Sequence, residues 1–200
     1  MPLSTKRVLA QSLKRLLSAR TLDKITVKDI VEDCGVNRQT FYYHFRDIYD
    51  LLEWSFRDTA ENLIRAGGDQ TDWRTGLKTV MEYLKENRML IWNAYHSISH
   101  KTVSGFLKRT LRPFVFHTVQ KEAEGLERPP CQEDIDFVTD IYTLMAVGFI
   151  TEWIDHQKTE GTEEELQKLI TAMNGSACLM LSNLERGKKE ASGKNDKKLF

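Results

Sequence analysis

Between Thr26 and Phe45 the chain reads TVKDIVEDCGVNRQTFYYHF, a string that leaves few folds open. Its first half has the pattern of a short helix. Thr26 stands where an N-cap belongs, and Val27, Ile30, Val31 and Cys34 recur at helical spacing. Gly35 closes that helix, because a tight reversal needs a residue that takes positive φ freely. After Val36 a second short helix starts at Asn37, with Phe41 and Phe45 on its inner face. Two short helices on a glycine turn, the second carrying Arg and Gln near its start, describe a DNA-reading helix-turn-helix.

The side chains left for the other faces divide by chemistry. Arg38 and Gln39 suit base edges, since Arg pairs bidentately with guanine and Gln with adenine. Thr26, Asn37, Thr40, Tyr43 and His44 offer hydroxyl, amide and imidazole donors suited to phosphates. Lys28, on the first of the two helices, and Tyr42 complete the candidate DNA-contacting set.

Charge supports a chain that meets phosphate at one end. Residues 1–46 hold nine Lys/Arg against four Asp/Glu, whereas 47–187 hold fifteen against twenty-three. Cys34, Cys131 and Cys178 are odd in number and widely spaced, which predicts free thiols in a reducing cytoplasm. Lys6 and Arg7 precede no apolar run of signal-peptide type, and Ile141–Ile150 is about half the length a bilayer needs. No membrane partner is expected. His96 and His100 are four apart, a metal-like spacing, but no third ligand stands nearby and no metal is expected. Hydrolase, kinase and dinucleotide signatures are missing, so the reading is a non-enzyme with no cofactor.

Along the chain the pattern is helical throughout. Ser4 caps a first helix to about Arg20, with Leu9, Leu13, Leu16 and Leu17 as its stripe and Lys6, Arg7, Lys14 and Arg15 outside. Either Lys6 or Arg7 is placed to reach a flanking phosphate. A connecting helix runs from Asp47 to Gly67, followed by a helix capped by Asp72, one over Arg88–Ser99, and one from Thr102 towards Glu124 kinked at Pro113. Asp134–Gln157 is apolar on most sides, with Gly148 inside it. Thr162–Glu165 reads as a capping box for a last helix reaching Arg186. The expected architecture is all-α, about nine helices: a three-helix head over 1–46, a body over 47–187 with 47–67 as connector, and a flexible tail over 188–200. A narrow stripe on the last helix, beside an apolar neighbour, predicts a helix-pair homodimer face of Ile150, Trp153, Leu166, Ile170, Met173, Ala177, Leu181 and Leu184.

At Ile25–Phe45, followed by DIYDLL (Asp47–Leu52), the chain resembles the TetR/AcrR family of transcriptional regulators. That resemblance implies phosphate contacts at Thr26, Tyr43 and His44, and base contacts at Arg38, Gln39 and Tyr42. Where the family often carries Lys at the start of the fourth helix this chain has Ile48, and Arg46 is the candidate replacement. The resemblance also implies a body that senses a small molecule or a protein. Aromatic and polar-tipped candidates for such a pocket are Trp92, Tyr95, His96, Phe106, Phe114, His117, Tyr142, Met145 and Phe149. Val36–Trp54 and the short body are similar to the family's dihydroxyacetone-kinase regulators, some of which act with a protein co-regulator.

The expected partners are therefore a double-stranded DNA operator, a second copy of the chain, and an unidentified small-molecule or protein effector. Repression is the expected sign, on family grounds. The rival is a helical protein-interaction module of activator type without a small-molecule pocket. A sensor should hold a closed apolar cavity inside each body, and a partner-driven module a filled core with an exposed apolar patch.

Overall fold

The computed structural model describes residues 4–67, 73–156 and 162–196, with side chains over 4–63, 74–156 and 163–189. Among these, ten α-helices and one 3-10 turn (Leu22–Lys24) form, with no strand. The expected cap at Asp72 and the side chains of Trp73 and Thr162 lie outside the described residues.

Three helices make the head: α1 (Thr5–Leu17), α2 (Val27–Cys34) and α3 (Arg38–His44). The α1 stripe is enclosed, with Leu9, Leu13 and Leu17 at 1% exposure or less, each such side chain contributing about 1.5–3 kcal/mol of apolar burial. Buried Ser12 donates to the Ile30 carbonyl at 3.0 Å, so the one polar residue inside the head has a partner. The cations on α1 serve the fold. Arg7 pairs with Asp58 at 3.1 Å, Lys14 donates to Thr59 at 2.5 Å, Arg15 pairs with Asp33 at 2.5 Å, and the Lys6 ammonium lies over the rings of Phe45 and Trp54.

From the head, α4 (Ile48–Gly67) leads into α5 (Trp73–Glu86), α6 (Arg88–Tyr95), α7 (His100–Ala123, containing Pro113) and α8 (Gln132–His156). By length and composition α8 is apolar enough to cross a bilayer, but here α6, α7 and α10 (Ser176–Asp196) pack against it. Its buried Thr139 and Thr143 hydroxyls donate back to carbonyls four residues earlier, at 2.7 and 2.8 Å. One core runs without interruption from Leu9 in the head to Ile170 on α9 (Thr162–Met173), and a second joins α7, α8 and α10 around Val119, Val138 and Leu181.

Two expectations need correction. The single last helix is two, α9 and α10, because Gly175 adopts φ +71° and turns the chain there. Of the tail expected over 188–200, residues 188–196 continue α10, with Lys188 2.6 Å from Asp134 and Lys189 2.8 Å from Glu185 at its start, and 197–200 lie outside the described residues.

Candidate functional site

The start of α2 is fixed by a reciprocal cap. Thr26 Oγ1 accepts from the Asp29 amide at 3.2 Å, and Asp29 Oδ2 accepts from the Thr26 amide at 2.8 Å and hydroxyl at 2.7 Å. Those hydrogen bonds, helped by Arg20, hold the Asp29 carboxyl below its ordinary value. Gly35 then takes φ +70° and ends α2. Asn37 caps α3 in turn, its Oδ1 accepting from the Thr40 amide at 2.7 Å and hydroxyl at 2.9 Å.

Aromatic packing sets the orientation of α3. Phe41 is fully buried, Phe45 lies 6.1 Å from it, and Phe45 meets Trp54 of α4 edge-on at 5.8 Å. With that side pinned, Arg38, Gln39, Tyr42 and Tyr43 are all exposed, Tyr43 to 84%. His44 is half-buried, its ring edge-on to Tyr43 at 4.9 Å. Thr26 and Asn37 are exposed but engaged in their caps, Thr40 is half-buried, and Lys28 lies 3.7 Å from Glu32. Ile48 is half-buried against the core, whereas Arg46 is 87% exposed in side chain with its Nε 3.7 Å from Asp50. The nine DNA-contact candidates thus fall on α2, α3 and their caps, with Arg38 and Gln39 at the outer start of α3.

Beneath the head lies a cavity of about 730 Å³, walled by α4, α5, α6, α7, α8 and the C-terminal half of α9. Of the nine pocket candidates, Tyr95, Phe106, Phe114, His117, Tyr142, Met145 and Phe149 line it. Trp92 and His96 do not: they stack on one another at 3.6 Å, with His96 Nδ1 3.0 Å from the Trp92 carbonyl and its side chain exposed. Tyr95 donates to Asp155 at 3.0 Å, and its oxygen lies 2.8 Å from His100 Nδ1, so His96 and His100 do not converge. Burial, reinforced by Asp155, pushes the Tyr95 phenol up to about 12. The sequence reading missed the α4 wall, Leu52 and Phe56, and the threonines Thr110 and Thr118 of α7. Leu52 and Phe56 fall at helical spacing on the connector, which is the signal that could have placed them there.

The expected dimer residues are also redistributed. Ile150, Trp153, Leu166, Ile170, Ala177 and Leu181 are buried within the single chain, and Met173 and Leu184 are half-buried. Helix stripes so apolar are the chain's own core. Apolar side chains left open nearby include Phe137 and Leu144 of α8, at 54% and 53%, Met145 beside them at 36%, and Leu179 of α10 at 63%. Gly148 follows Leu144 by one turn, and a Cβ built there would meet nothing within 4 Å.

A helix-turn-helix that buries its aromatic side and leaves an arginine and a glutamine open at the start of the second helix defines a DNA-binding transcriptional regulator. Residues 11–53 match the family of bacterial regulatory proteins of the tetR type, and residues 71–175 match a transcriptional regulator C-terminal region. The chain belongs to the TetR family. Over 85 residues it is 32% identical to the transcriptional activator DhaS of the dhaKLM operon of Lactococcus lactis subsp. lactis, a match spanning 42% of this chain and 46% of that protein. The chain thus matches under half the length of this relative. Its fold is similar to a structure of the dihydroxyacetone kinase operon activator DhaS, with TM-score 0.69 and 20% identity over 90% of this chain and 97% of that one. It is also similar to a TetR transcriptional regulator from Streptococcus agalactiae, with TM-score 0.60 and 22% identity over 84% and 92% of the two chains.

Proposed function

We propose that the chain acts in the cytoplasm as a homodimeric repressor on a two-fold symmetric operator in double-stranded DNA, switched by a small molecule in the cavity of its body. The observation that carries this is the exposure of Arg38 and Gln39 on a helix whose opposite side is pinned by buried Phe41. Two such heads held about 34–36 Å apart would read successive major grooves. The open face of Phe137, Leu144, Gly148 and Leu179 is the surface on which a second copy docks, with Gly148 allowing close helix approach. Effector occupancy would bias α4 through Leu52 and Phe56, and α4 carries the head. The size of that effect is set by the effector's differential affinity for the two arrangements.

The cavity, though partly open to solvent, supports a small-molecule effector, and the exposed apolar patch that a protein-driven module would use is assigned in this reading to the second copy. Activation is the second reading of the sign, favoured by the matching relative being named an operon activator. The test is stoichiometry on DNA: light scattering of the chain with a duplex enriched from random sequence should give two chains per site. A reporter with that site overlapping, or upstream of, a promoter then decides the sign. One chain per site, or no enrichment, would sink the proposal.

A further inference from the structure

The cavity is of the size that drug-sized ligands use, roughly 300–1,000 Å³. Its wall has an uneven chemistry. The charged side chains in the lining, Arg46, Asp47, Asp50, Glu53 and Arg109, sit at the start of α4 and across from it on α7. These are already matched: Arg46 lies 3.7 Å from Asp50, Glu53 lies 3.3 Å from Arg109, and Asp47 Oδ1 accepts from the Asp50 amide at 2.8 Å. Deeper in, two polar groups are spent as well. The Tyr95 hydroxyl serves Asp155 and His100, and the Tyr142 hydroxyl is 2.5 Å from that of Ser176. What remains is mostly leucine, isoleucine, valine, methionine and phenylalanine, with Tyr49, His117, several threonines, and Tyr83, whose buried hydroxyl has no hydrogen-bond partner among the described residues. Along α7 the lining runs from Thr102 to Val119, roughly 25 Å of helix, so the space is elongated.

We infer that the effector is an uncharged, elongated, predominantly apolar molecule, lying along α7 against Leu52 and Phe56 of α4. This rests on the cavity being the effector site. A carboxylate or ammonium on the ligand would be stripped of water against an apolar wall whose charges already have partners, which is strongly unfavourable. A small polyhydroxylated molecule would lose its water hydrogen bonds over a mostly apolar wall, where only scattered groups such as the Tyr83 hydroxyl, His117 and the threonines replace them. An apolar molecule with one neutral polar end can meet such a group. A neutral apolar molecule loses nothing of that kind and gains the transfer term over its whole length. The α4–α7 seam, closed by the Glu53–Arg109 pair and by Phe56 against Phe106 at 6.3 Å, is where such a molecule touches the helix bearing the head.

The experiment uses the full chain and the neutral fluorophore N-phenylnaphthylamine, which brightens in apolar surroundings. It should bind one per chain and be displaced by decanol. Decanoate at pH 8 should compete at least about tenfold less well, and dihydroxyacetone not at all. Ala146→Trp and, separately, Thr110→Phe fill the lining and should each weaken the dye at least about tenfold. Either variant suffices, provided it melts cooperatively. Equal competition by decanoate and decanol, displacement by dihydroxyacetone, or undiminished dye binding in the filled variants overturns the inference. DNA binding is measured on the same samples: if the unsubstituted chain binds DNA but not the dye, this inference fails alone, whereas loss of DNA binding fails the regulator reading.

Discussion

The side-chain amide of Asn93, on α6, donates to the main-chain carbonyl of Leu17, the last residue of α1, over 2.7 Å with both residues buried. A carbonyl in the last turn of a helix has no partner within that helix, so the body supplies one to the head. One turn on, Ser97 repeats the arrangement: it accepts from the Leu22 amide at 3.1 Å and donates to the Asn93 carbonyl at 2.7 Å. The head is therefore tied to the body twice, through α4 and through the C-terminal end of α6. α6 also contributes Ile91, Ala94 and Tyr95 to the cavity.

Asn93→Leu should cost about 1–3 kcal/mol, because a buried carbonyl loses its donor. Thermal unfolding reads that loss. The same variant should also blunt the effect of a bound effector on DNA affinity more than it changes that affinity without effector. An unchanged effector response would show that α6 takes no part in coupling.

Asn37→Ala removes the cap from α3 and should destabilise the head by about 0.5–2 kcal/mol. Hydrogen exchange of the Phe41 and Tyr42 amides should accelerate, while the body's amides keep their protection. Uniform acceleration across the chain would mean that head and body unfold only together.

Gly148 faces open space on the single chain, so Gly148→Ala should favour α8 by up to about 1 kcal/mol within one chain while weakening the close approach of the second copy. Gly148→Arg should leave the single chain folded and shift it to monomer in equilibrium sedimentation. A Gly148→Arg protein that still sediments as a dimer would place the interface elsewhere.

Asp134 is buried to 7% exposure, and the hydrogen bond from Lys188 holds its carboxyl below the ordinary 3.8. A carboxyl lowered in the folded state contributes stability above its ordinary value and loses it as pH falls through the folded one. Thermal stability should therefore drop below about pH 4, part of the drop arising where α10 meets α8. Lys188→Met should flatten that part. Denaturation followed between pH 3 and pH 7 checks it, and an identical pH profile in the variant would contradict it.

Much of the head was legible because local chemistry decides it. Thr26 and Gly35 are cap and turn residues whose roles follow from φ and from orphan amides, and the structure has each in that role, whereas Asn37, read as a phosphate contact at the helix start, is spent as the cap of α3. The body was harder for a different reason. Aliphatic stripes on α8, α9 and α10 announce burial but not by what, and Ile150, Trp153 and Leu181 turned out to be covered by the chain itself. Phe137, Leu144 and Gly148 lie on the side of α8 that the chain leaves open. Trp92 and His96 show the same limit: an aromatic one turn before a histidine reads as pocket chemistry, yet the pair stacks outside the cavity. The helix break at Gly175 lay inside a pattern that periodicity alone carries straight through.

Base reading by Arg38 and Gln39 is the claim on which the functional proposal rests. Its most direct test is to select bound sites from random duplex DNA with the unsubstituted chain, Arg38→Ala and Tyr43→Phe in parallel. The unsubstituted chain should enrich a two-fold symmetric site. Arg38→Ala should lose preference at one base pair of each half-site, at a cost of about 1–3 kcal/mol, while Tyr43→Phe weakens every site alike. The same enriched sequence, with undiminished discrimination, from the Arg38→Ala protein would contradict it.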